Sequence, residues 1–333
     1  MIKGFKYCLA PSTLWLLPLG WLWFVLIHTL SPEWTLNPQY GYGWAVPFLC
    51  GYLIWRTIRD YRPPTTDIRP SFAGLCHLPS SVFHAFLVLC ALLYAPTRLL
   101  QEANPGWRLT SWALAMEVVG ITLCVLRMMM DAGKQQSEAC PPFSVLRVPF
   151  FTFIFPVCFF LVAVPWPTGL EQGLIQGMTR LDASGAVGVI GWFGIPAIPH
   201  GNVIEVATGM VGIDEACSGI RSFQATLMIS LFLGEFYRLN FFRRAGLMLG
   251  GFGLSFLFNL TRMSLLVWVA ARRGVPAIAA WHDPAGVTIL LGCFFGLWGM
   301  AVWLAANQTA EIRKQKSEIG ERGAEAGRRR SDV

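Results

Sequence analysis

The chain has 333 residues, of which 54% are hydrophobic and 14% are charged, with a mean hydropathy of +0.51. Soluble globular proteins carry about 25% charged residues. The composition therefore favours a membrane protein and excludes a disordered, collagen-like or disulfide-rich secreted chain. Nine cysteines are too few for a disulfide scaffold, and most lie in apolar stretches where they can act as small buried hydrophobic residues.

Long apolar segments set the predicted architecture, because a transmembrane helix needs about 20 predominantly apolar residues. Eight candidate segments lie at 12–30, 40–56, 82–96, 111–130, 148–165, 219–237, 245–271 and 285–306. They predict an all-α polytopic membrane protein with about eight transmembrane helices and a single membrane domain over residues 1–306. The charged tail, 307–333, has no apolar periodicity and is predicted to be a solvated helix or a disordered segment.

The basic residues predict the orientation of the chain. Nineteen Lys and Arg residues lie in one set of connecting segments and five in the alternate set. Because cytoplasmic loops are enriched in Lys and Arg, this bias places both termini in the cytoplasm of a protein of the cytoplasmic membrane. The bias also explains the formal charge of +7, so the lipid bilayer is the expected partner and nucleic acid is not.

The longest predicted extracytoplasmic segment, 166–216, is expected to form a small cap. An apolar stripe at helical spacing predicts a short interfacial helix; its residues are Leu170, Leu174, Ile175, Met178 and Leu181. Residues 186–194 and 202–207 are rich in β-branched side chains around a Pro/Gly turn and predict a β-hairpin. In the last two segments, Gly246–Gly250 and Gly292–Gly296 predict close packing within the chain rather than dimerisation.

Three polar motifs lie on the predicted outer side of the membrane. They are Asp214–Arg221, Asn259–Arg262 and Trp281–Gly286. Cys217 is the only cysteine predicted at the outer interface. It lies near a predicted helix N-terminus, where unpaired amides and the macrodipole favour the thiolate form. Inert packing is otherwise the more common role of a cysteine beside a membrane helix.

Two arginines compete for an electrostatic role at this outer face. Arg262 lies about 12 Å inside its helix, at 1.5 Å per residue, where a guanidinium is costly unless it is paired or solvated. An ion pair with Glu117 or snorkelling would satisfy it; alternatively, its donor fork stabilises negative charge developing on a carbonyl oxygen. Asn259, on the same helix face, is placed to orient it. Arg221 either takes this electrostatic role or pairs with an acid of its own motif, Asp214 or Glu215.

His282 has a side chain suited to general acid/base chemistry near neutral pH. A helix cap or a water contact is the alternative role of a lone interfacial histidine. The other histidines show no ligand spacing, so no metal ion and no cofactor is expected. A cysteine, an arginine and a histidine from three segments at one membrane depth are typical of a thiol acyltransferase or protease.

At these motifs the sequence resembles the exosortase/archaeosortase family of polytopic membrane enzymes. The match rests on Glu215-Ala-Cys217-Ser-Gly-Ile-Arg221-Ser222, then Asn259-x-x-Arg262, then His282-Asp-x-x-Gly286, in that order. The resemblance is clearest from about residue 200 to residue 300, and the earlier helices match mainly as hydrophobic spans.

The resemblance implies a membrane cysteine peptidase or transpeptidase without a cofactor. Its substrates are exported proteins that end in a short motif, a transmembrane helix and a basic cluster (a PEP-CTERM-like sorting signal), and an amine or surface acceptor takes the product. The resemblance assigns the nucleophile to Cys217 and partner positions to Arg262 and His282, with Glu215, Arg221 and Asn259 in support. Family members carry either His or Arg at the third position.

Two other functions fit a polytopic membrane chain. A transporter would show paired broken helices or an inverted repeat, and neither pattern is found in the sequence. A non-enzymatic export or assembly factor would use the same outer cap to bind helices of a partner. An unusually reactive Cys217 that is accessible from outside the cell distinguishes the enzyme from both.

Overall fold

The computed structural model describes residues 16–61, 79–135, 148–212 and 219–331, with side chains described up to 131 and 319 in the second and fourth ranges. The helices are α1 Leu16–Leu36, α2 Val46–Arg59, α3 Ser80–Ala103, α4 Arg108–Gln135, α5 Phe151–Cys158, α6 Thr168–Trp192, α7 Ile220–Phe236, α8 Phe241–Arg273 and α9 Ile278–Ser331. Short 3-10 helices lie at Gly41–Trp44, Phe159–Ala163 and Val275–Ala277. The strands are β1 Ala197–His200, β2 Val203–Val206 and β3 Gly209–Gly212.

The described helices support an all-α membrane protein but not the full count of eight spans. Four are long and apolar enough to cross a membrane, namely Ser80–Ala103, Arg108–Asp131, Phe241–Arg273 and Val275–Ile319; a fifth span results if Phe151–Ala163 and Thr168–Trp192 together count as one broken span. Of the other predicted segments, 40–56 and 219–237 lie on helices that are too short, since α2 has 14 residues and α7 has 17, whereas α1 has 21 residues but is not among the candidate spans. Spanning requires about 20 residues.

The chain divides into two compact units, residues 1–171 and 172–333. In the first unit α3 packs along α4, α1 packs on α4, and α2 packs on α5. Large side chains fill its interior, including Trp34, Tyr40, Phe153 and Phe160, which are all at most 2% exposed. The Trp34 indole also donates a 2.8 Å hydrogen bond to the carbonyl of Ala163, because a buried indole N–H needs an acceptor.

A buried carboxylate organises the polar end of the first unit. Glu171, at 3% exposure, accepts hydrogen bonds from the Tyr40 hydroxyl at 2.6 Å, from the Gln39 amide at 2.5 Å and from Arg108. Arg108 also lies 3.5 Å from Glu33. A buried charge is tolerated only when it is paired and hydrogen-bonded. These residues come from segments predicted on the outer side of the membrane, and that location stays a prediction.

Close packing of α8 with α7 and α9 forms the centre of the second unit. A Cβ built on Gly250, Gly292 or Gly296 would lie within 3 Å of Met300, Phe258 or Leu254, respectively. The predicted packing within the chain is therefore confirmed at these three glycines. Gly246 has no such neighbour among the described residues. Small residues let the α8 and α9 backbones approach, as in other membrane helix pairs.

The segment 166–212 differs from the prediction in two respects. Residues 186–192, expected in a strand, belong to the 25-residue helix α6. The helix buries only part of the predicted stripe: Ile175 is 5% exposed, but Leu170 and Leu181 are 57% and 62% exposed, while Thr179, Asp182 and Ile190 are at most 1% exposed. Packing of this stripe against apolar side chains of the second unit, among them Met263 and Val267, favours helix over the β propensity of residues 186–194.

The predicted hairpin is present but lies further along the chain. β1 and β2 pair antiparallel with Ala197 opposite Val206, and β3 adds a third antiparallel strand with Val206 opposite Gly209. Ile204, Val206 and Val211 face inwards and join the apolar cluster with α6 and α8. The sheet therefore connects the end of α6 to the motif that precedes α7. Its extracytoplasmic location stays a prediction.

We expect Gly43→Ala to destabilise the protein by about 1–3 kcal/mol, the usual cost of overpacking a core. A Cβ at Gly43 would lie 2.4 Å from the indole ring of Trp34, which is buried and held by its hydrogen bond to Ala163. Gly51→Ala is the matched control, since no atom lies within 4 Å of its Cβ position and alanine favours the helix. Unfolding in detergent measures both; equal stability of the two variants would contradict the expectation.

Candidate functional site

The predicted nucleophile lies in the connection between the sheet and α7. β3 ends at Gly212 and α7 begins at Ile220. Cys217 and Glu215 fall between them and lie outside the described residues. The first described residue after Cys217 is Gly219, so the surroundings of Gly219 show where this connection enters α7.

Gly219 forms the N-cap of α7 in a left-handed conformation, with φ 74° and ψ −5°. This region is readily accessible to glycine and strained for most other residues. The glycine also lies against Asn259 of α8: a Cβ at position 219 would lie 2.8 Å from Asn259 Nδ2 and 2.9 Å from its Cγ. Position 219 therefore requires glycine both for its backbone conformation and for its close approach to α8.

Two serines fix this turn further. The Ser222 hydroxyl donates to the Gly219 carbonyl at 2.8 Å, and the Ser255 hydroxyl of α8 donates to Ser222 at 2.9 Å. The amide of Phe223 donates to the same carbonyl at 2.9 Å. The start of α7 is thus tied to α8 by a short chain of hydrogen bonds.

Arg262 and His282 come together as the motif order predicted. Arg262 is 8% exposed on α8. Its Nη2 lies 2.9 Å from His282 Nε2 and 3.4 Å from the His282 carbonyl oxygen. The Nε of Arg262 has no hydrogen-bond partner among the described residues. A buried donor without a partner is costly. The Nε–H of Arg262 is therefore available to donate a hydrogen bond to a further acceptor.

The contact with Arg262 defines the proton positions on His282. A guanidinium is always protonated and can only donate, so His282 Nε2 accepts and carries a lone pair. The proton of the neutral ring then lies on Nδ1, which is 2.8 Å from Asp283 Oδ1 and donates to it. This assignment follows from the partners, as hydrogen-bond networks allow. The imidazole is therefore oriented by a carboxylate on one side and a guanidinium on the other.

His282 lies inside the first turns of α9, whereas the sequence placed it just before the helix. The helix begins at Ile278 and contains Pro284, which has no backbone N–H and leaves the carbonyl of Ala280 without that helical donor. Gly286, one turn after His282, contacts the guanidinium of Arg262: a Cβ there would lie 3.5 Å from Nη2. His282 and Gly286 thus form one face of α9 against Arg262.

Asp182 is a site residue that the sequence analysis missed. It is fully buried on α6 and accepts a 2.6 Å hydrogen bond from Asn259 Nδ2 through its Oδ2. The role of Asn259 in orienting Arg262 stays a prediction; its side chain contacts Asp182 and the Cβ position of Gly219. The helical spacing of the sequence could have indicated that Asp182 is buried, because it shares a helical face with Ile175 and Thr179 rather than with the exposed Leu181.

The remaining candidates have other surroundings. Arg221 is exposed on α7. Glu117, considered as a partner of Arg262, accepts a 2.6 Å hydrogen bond from the Thr97 hydroxyl within the first unit. Among the described residues, no group of three His, Cys, Asp or Glu side chains is arranged to hold a metal ion. The arrangement around Arg262 and His282 can donate hydrogen bonds to an anion and exchange a proton.

The comparisons with known proteins agree with these motifs. A family model described as transmembrane exosortase (Exosortase_EpsH) matches residues 34–299, which include the described residues of the site and the connection that carries Cys217. No match to the chain was found among curated proteins or among solved structures.

We expect Gly219→Ala to lower the free energy of unfolding by about 1–3 kcal/mol, through backbone strain and overpacking. The side chain would be forced into the left-handed region and against Asn259. Gly212→Ala, at the other end of the same connection, is the matched control, because no atom of the described residues lies within 4 Å of its Cβ position. Thermal unfolding in detergent compares them, and an unchanged Gly219→Ala protein would contradict the observed turn.

Proposed function

The chain belongs to the transmembrane exosortase family, and on this premise we propose that it is a membrane cysteine peptidase or transpeptidase. The proposed substrates are exported proteins whose C-terminal sorting signal (PEP-CTERM-like) combines a short motif, a transmembrane helix and a basic end. Cleavage at the motif forms a thioester on Cys217, which an amine or surface acceptor, or water, then resolves. The protein crosses the membrane several times; we propose that both termini are cytoplasmic and that the site faces outwards.

One observation supports this proposal most strongly. Arg262, buried in a membrane helix, has its 2.9 Å contact with the imidazole of His282 and with no acidic side chain among the described residues. A purely structural arginine at such depth normally pairs with a carboxylate. A guanidinium held beside a neutral imidazole instead suits a reaction in which negative charge develops on an oxygen and a proton is transferred.

The first proposed step forms the carbon–sulfur bond. His282 Nε2 takes the proton from the Cys217 thiol, and the thiolate attacks the scissile carbonyl carbon. The π electrons of the carbonyl move to its oxygen, giving a tetrahedral oxyanion. Asp283, hydrogen-bonded to Nδ1 at 2.8 Å, stabilises the imidazolium, as the carboxylate does in catalytic triads.

Protonation of His282 also changes the role of Arg262. Once Nε2 carries a proton, both it and Nη2 are donors, so their hydrogen bond is lost and like charges repel. The freed Nη2–H, together with the Nε that lacks a described partner, is then available to the oxyanion. Proton uptake by the histidine and charge stabilisation by the arginine are thereby linked in one step.

Collapse of the oxyanion completes the cleavage. The carbon–nitrogen bond breaks, and the departing nitrogen takes the proton from His282 Nε2. The sorting-signal helix leaves with a new amine, and the rest of the substrate stays attached to Cys217 as a thioester. An incoming amine or water attacks this thioester, gives its proton to His282, and releases the sulfur, which recovers a proton.

We expect Cys217→Ala to abolish processing while the protein still inserts in the membrane, because no other group supplies the sulfur nucleophile. A reporter ending in a short motif, an apolar span and a basic cluster from the same genome shows processing as a mobility shift. Cys90→Ala is the matched control, since Cys90 is buried in α3. Normal processing by Cys217→Ala would refute the mechanism.

Thiol labelling separates this enzyme from a transporter or an assembly factor. A membrane-impermeant maleimide applied to intact cells or spheroplasts is expected to label the wild type and not Cys217→Ala. Faster labelling than a free thiol at neutral pH is expected because a thiolate is the reactive form. Labelling from the cytoplasmic side only would contradict the proposed orientation.

Arg262 and His282 are expected to act on the rate of the chemical step. Arg262→Lys removes the donor fork and is expected to lower kcat about 10²–10³-fold, as for loss of an oxyanion donor. His282→Gln keeps polar character but cannot transfer a proton, and is expected to lower kcat about 10²–10⁴-fold. Arg272→Lys, at an exposed arginine near the end of α8, the helix of Arg262, is the control. Processing in detergent micelles measures these rates, and losses confined to KM would contradict the assigned roles.

A further inference from the structure

Asp182 is a buried carboxyl group with a described hydrogen-bond partner for only one of its two oxygens. It is 0% exposed on the buried face of α6, between Thr179 and Ala186, which are at most 1% exposed. Its Oδ2 accepts from Asn259, whereas its Oδ1 is buried and has no hydrogen-bond partner among the described residues. A half-satisfied buried carboxyl is costly compared with an apolar residue of similar size. Stability alone therefore does not account for an aspartate at this position.

Side chains of α8 contact α6 at this point. Gly185, one turn after Asp182, lies against the Leu260 side chain: a Cβ there would be 2.7 Å from Leu260 Cδ1. Within the same contact the Asp182 carboxyl reaches the Asn259 amide at 2.6 Å. Asn259 is itself 2% exposed, so the bond is protected from water and is stronger than it would be at the surface.

Gly219 packs against the same Asn259 amide. Asn259 Nδ2 and Cγ lie 2.8 and 2.9 Å from the Cβ position of Gly219, two residues after Cys217. Because an amide has a donor end and an acceptor end, the carboxyl oxygen of Asp182 selects which end faces α6 and fixes the rotamer. The fixed amide then forms the surface on which the turn before α7 rests.

We infer that Asp182 is a positioning residue for the proposed reaction: through Asn259 it fixes the Gly219 turn, which follows Cys217 by two residues in the chain. This inference rests on the proposed function. Asn259 is also one helical turn before Arg262 on α8, so the helix that carries the guanidinium also holds this turn. A displacement of about 1 Å at a reacting group can lower a rate 10²-fold.

The test compares Asp182→Ala with Asp182→Asn in the full-length protein, with processing rates normalised to folded enzyme. Asp182→Ala removes the acceptor, and kcat is expected to fall about 10–100-fold with KM changed less than about twofold, since substrate binding is not altered. Asp182→Asn keeps an oxygen acceptor for Asn259 and is expected to retain activity within about fivefold. The alkylation rate of Cys217 by iodoacetamide provides a second readout, which is expected to change with Asp182→Ala.

Two further variants distinguish positioning from a structural role. Thr179→Val, one turn earlier on the same buried face, removes a hydroxyl that bonds only to the helix backbone at Ile175, and is expected to leave kcat and alkylation unchanged. Asn259→Asp places two carboxyls in contact and is expected to be slow. The exchanged pair, Asp182→Asn with Asn259→Asp, restores one donor and one acceptor and is expected to recover most of the lost rate.

The outcomes separate this inference from the proposed function. If Cys217→Ala is inactive while Asp182→Ala keeps the wild-type kcat and alkylation rate, the positioning role is wrong and the proposed function stands. If Asp182→Ala lowers only the yield of folded protein, the role is structural and the inference is overturned. If Cys217→Ala processes substrate normally, the proposed function itself fails.

Discussion

The contact between Arg262 and His282 is the constraint on which the second unit depends. A guanidinium at the centre of a membrane helix costs about 2.5–3.5 kcal/mol by insertion scales, and the imidazole 2.9 Å away is its described side-chain partner. The contact requires α8 and α9 to lie close together. Gly292 and Gly296 permit this approach, because larger side chains there would meet α8. The glycines that let α9 pack against α8 therefore also bring His282 into contact with Arg262.

The sequence predicted the parts of the site that depend on motif order and residue type. Arg262 and His282 are 20 residues apart in the chain, and both were expected at one face because the predicted span 245–271 ends, and the span 285–306 begins, on the same side of the membrane. The structure brings these two side chains together. The predicted helices also exist throughout the described chain, although α5 and α7 are too short to be spans on their own.

Tertiary packing determines two features of α6 that the sequence did not predict, namely its buried face and the helical conformation of residues 186–192. The stripe that included Leu170 and Leu181 was the more apolar face of α6, but the helix buries Thr179 and Asp182 instead. A hydrophobic periodicity cannot identify a face whose buried members are polar, because their partners, such as Asn259, come from another helix. The same limit applies to residues 186–192, where packing of α6 overrides local β propensity.

Pro284 gives the turn of His282 a property that the remainder of the long helix α9 lacks. Since this proline cannot donate to the carbonyl of Ala280, the initial turn is joined to the membrane-crossing part by fewer backbone hydrogen bonds. Tilting of that turn therefore costs less free energy than bending α9 at a position further along the helix. The position of the His282 imidazole can thus adjust without movement of the rest of α9.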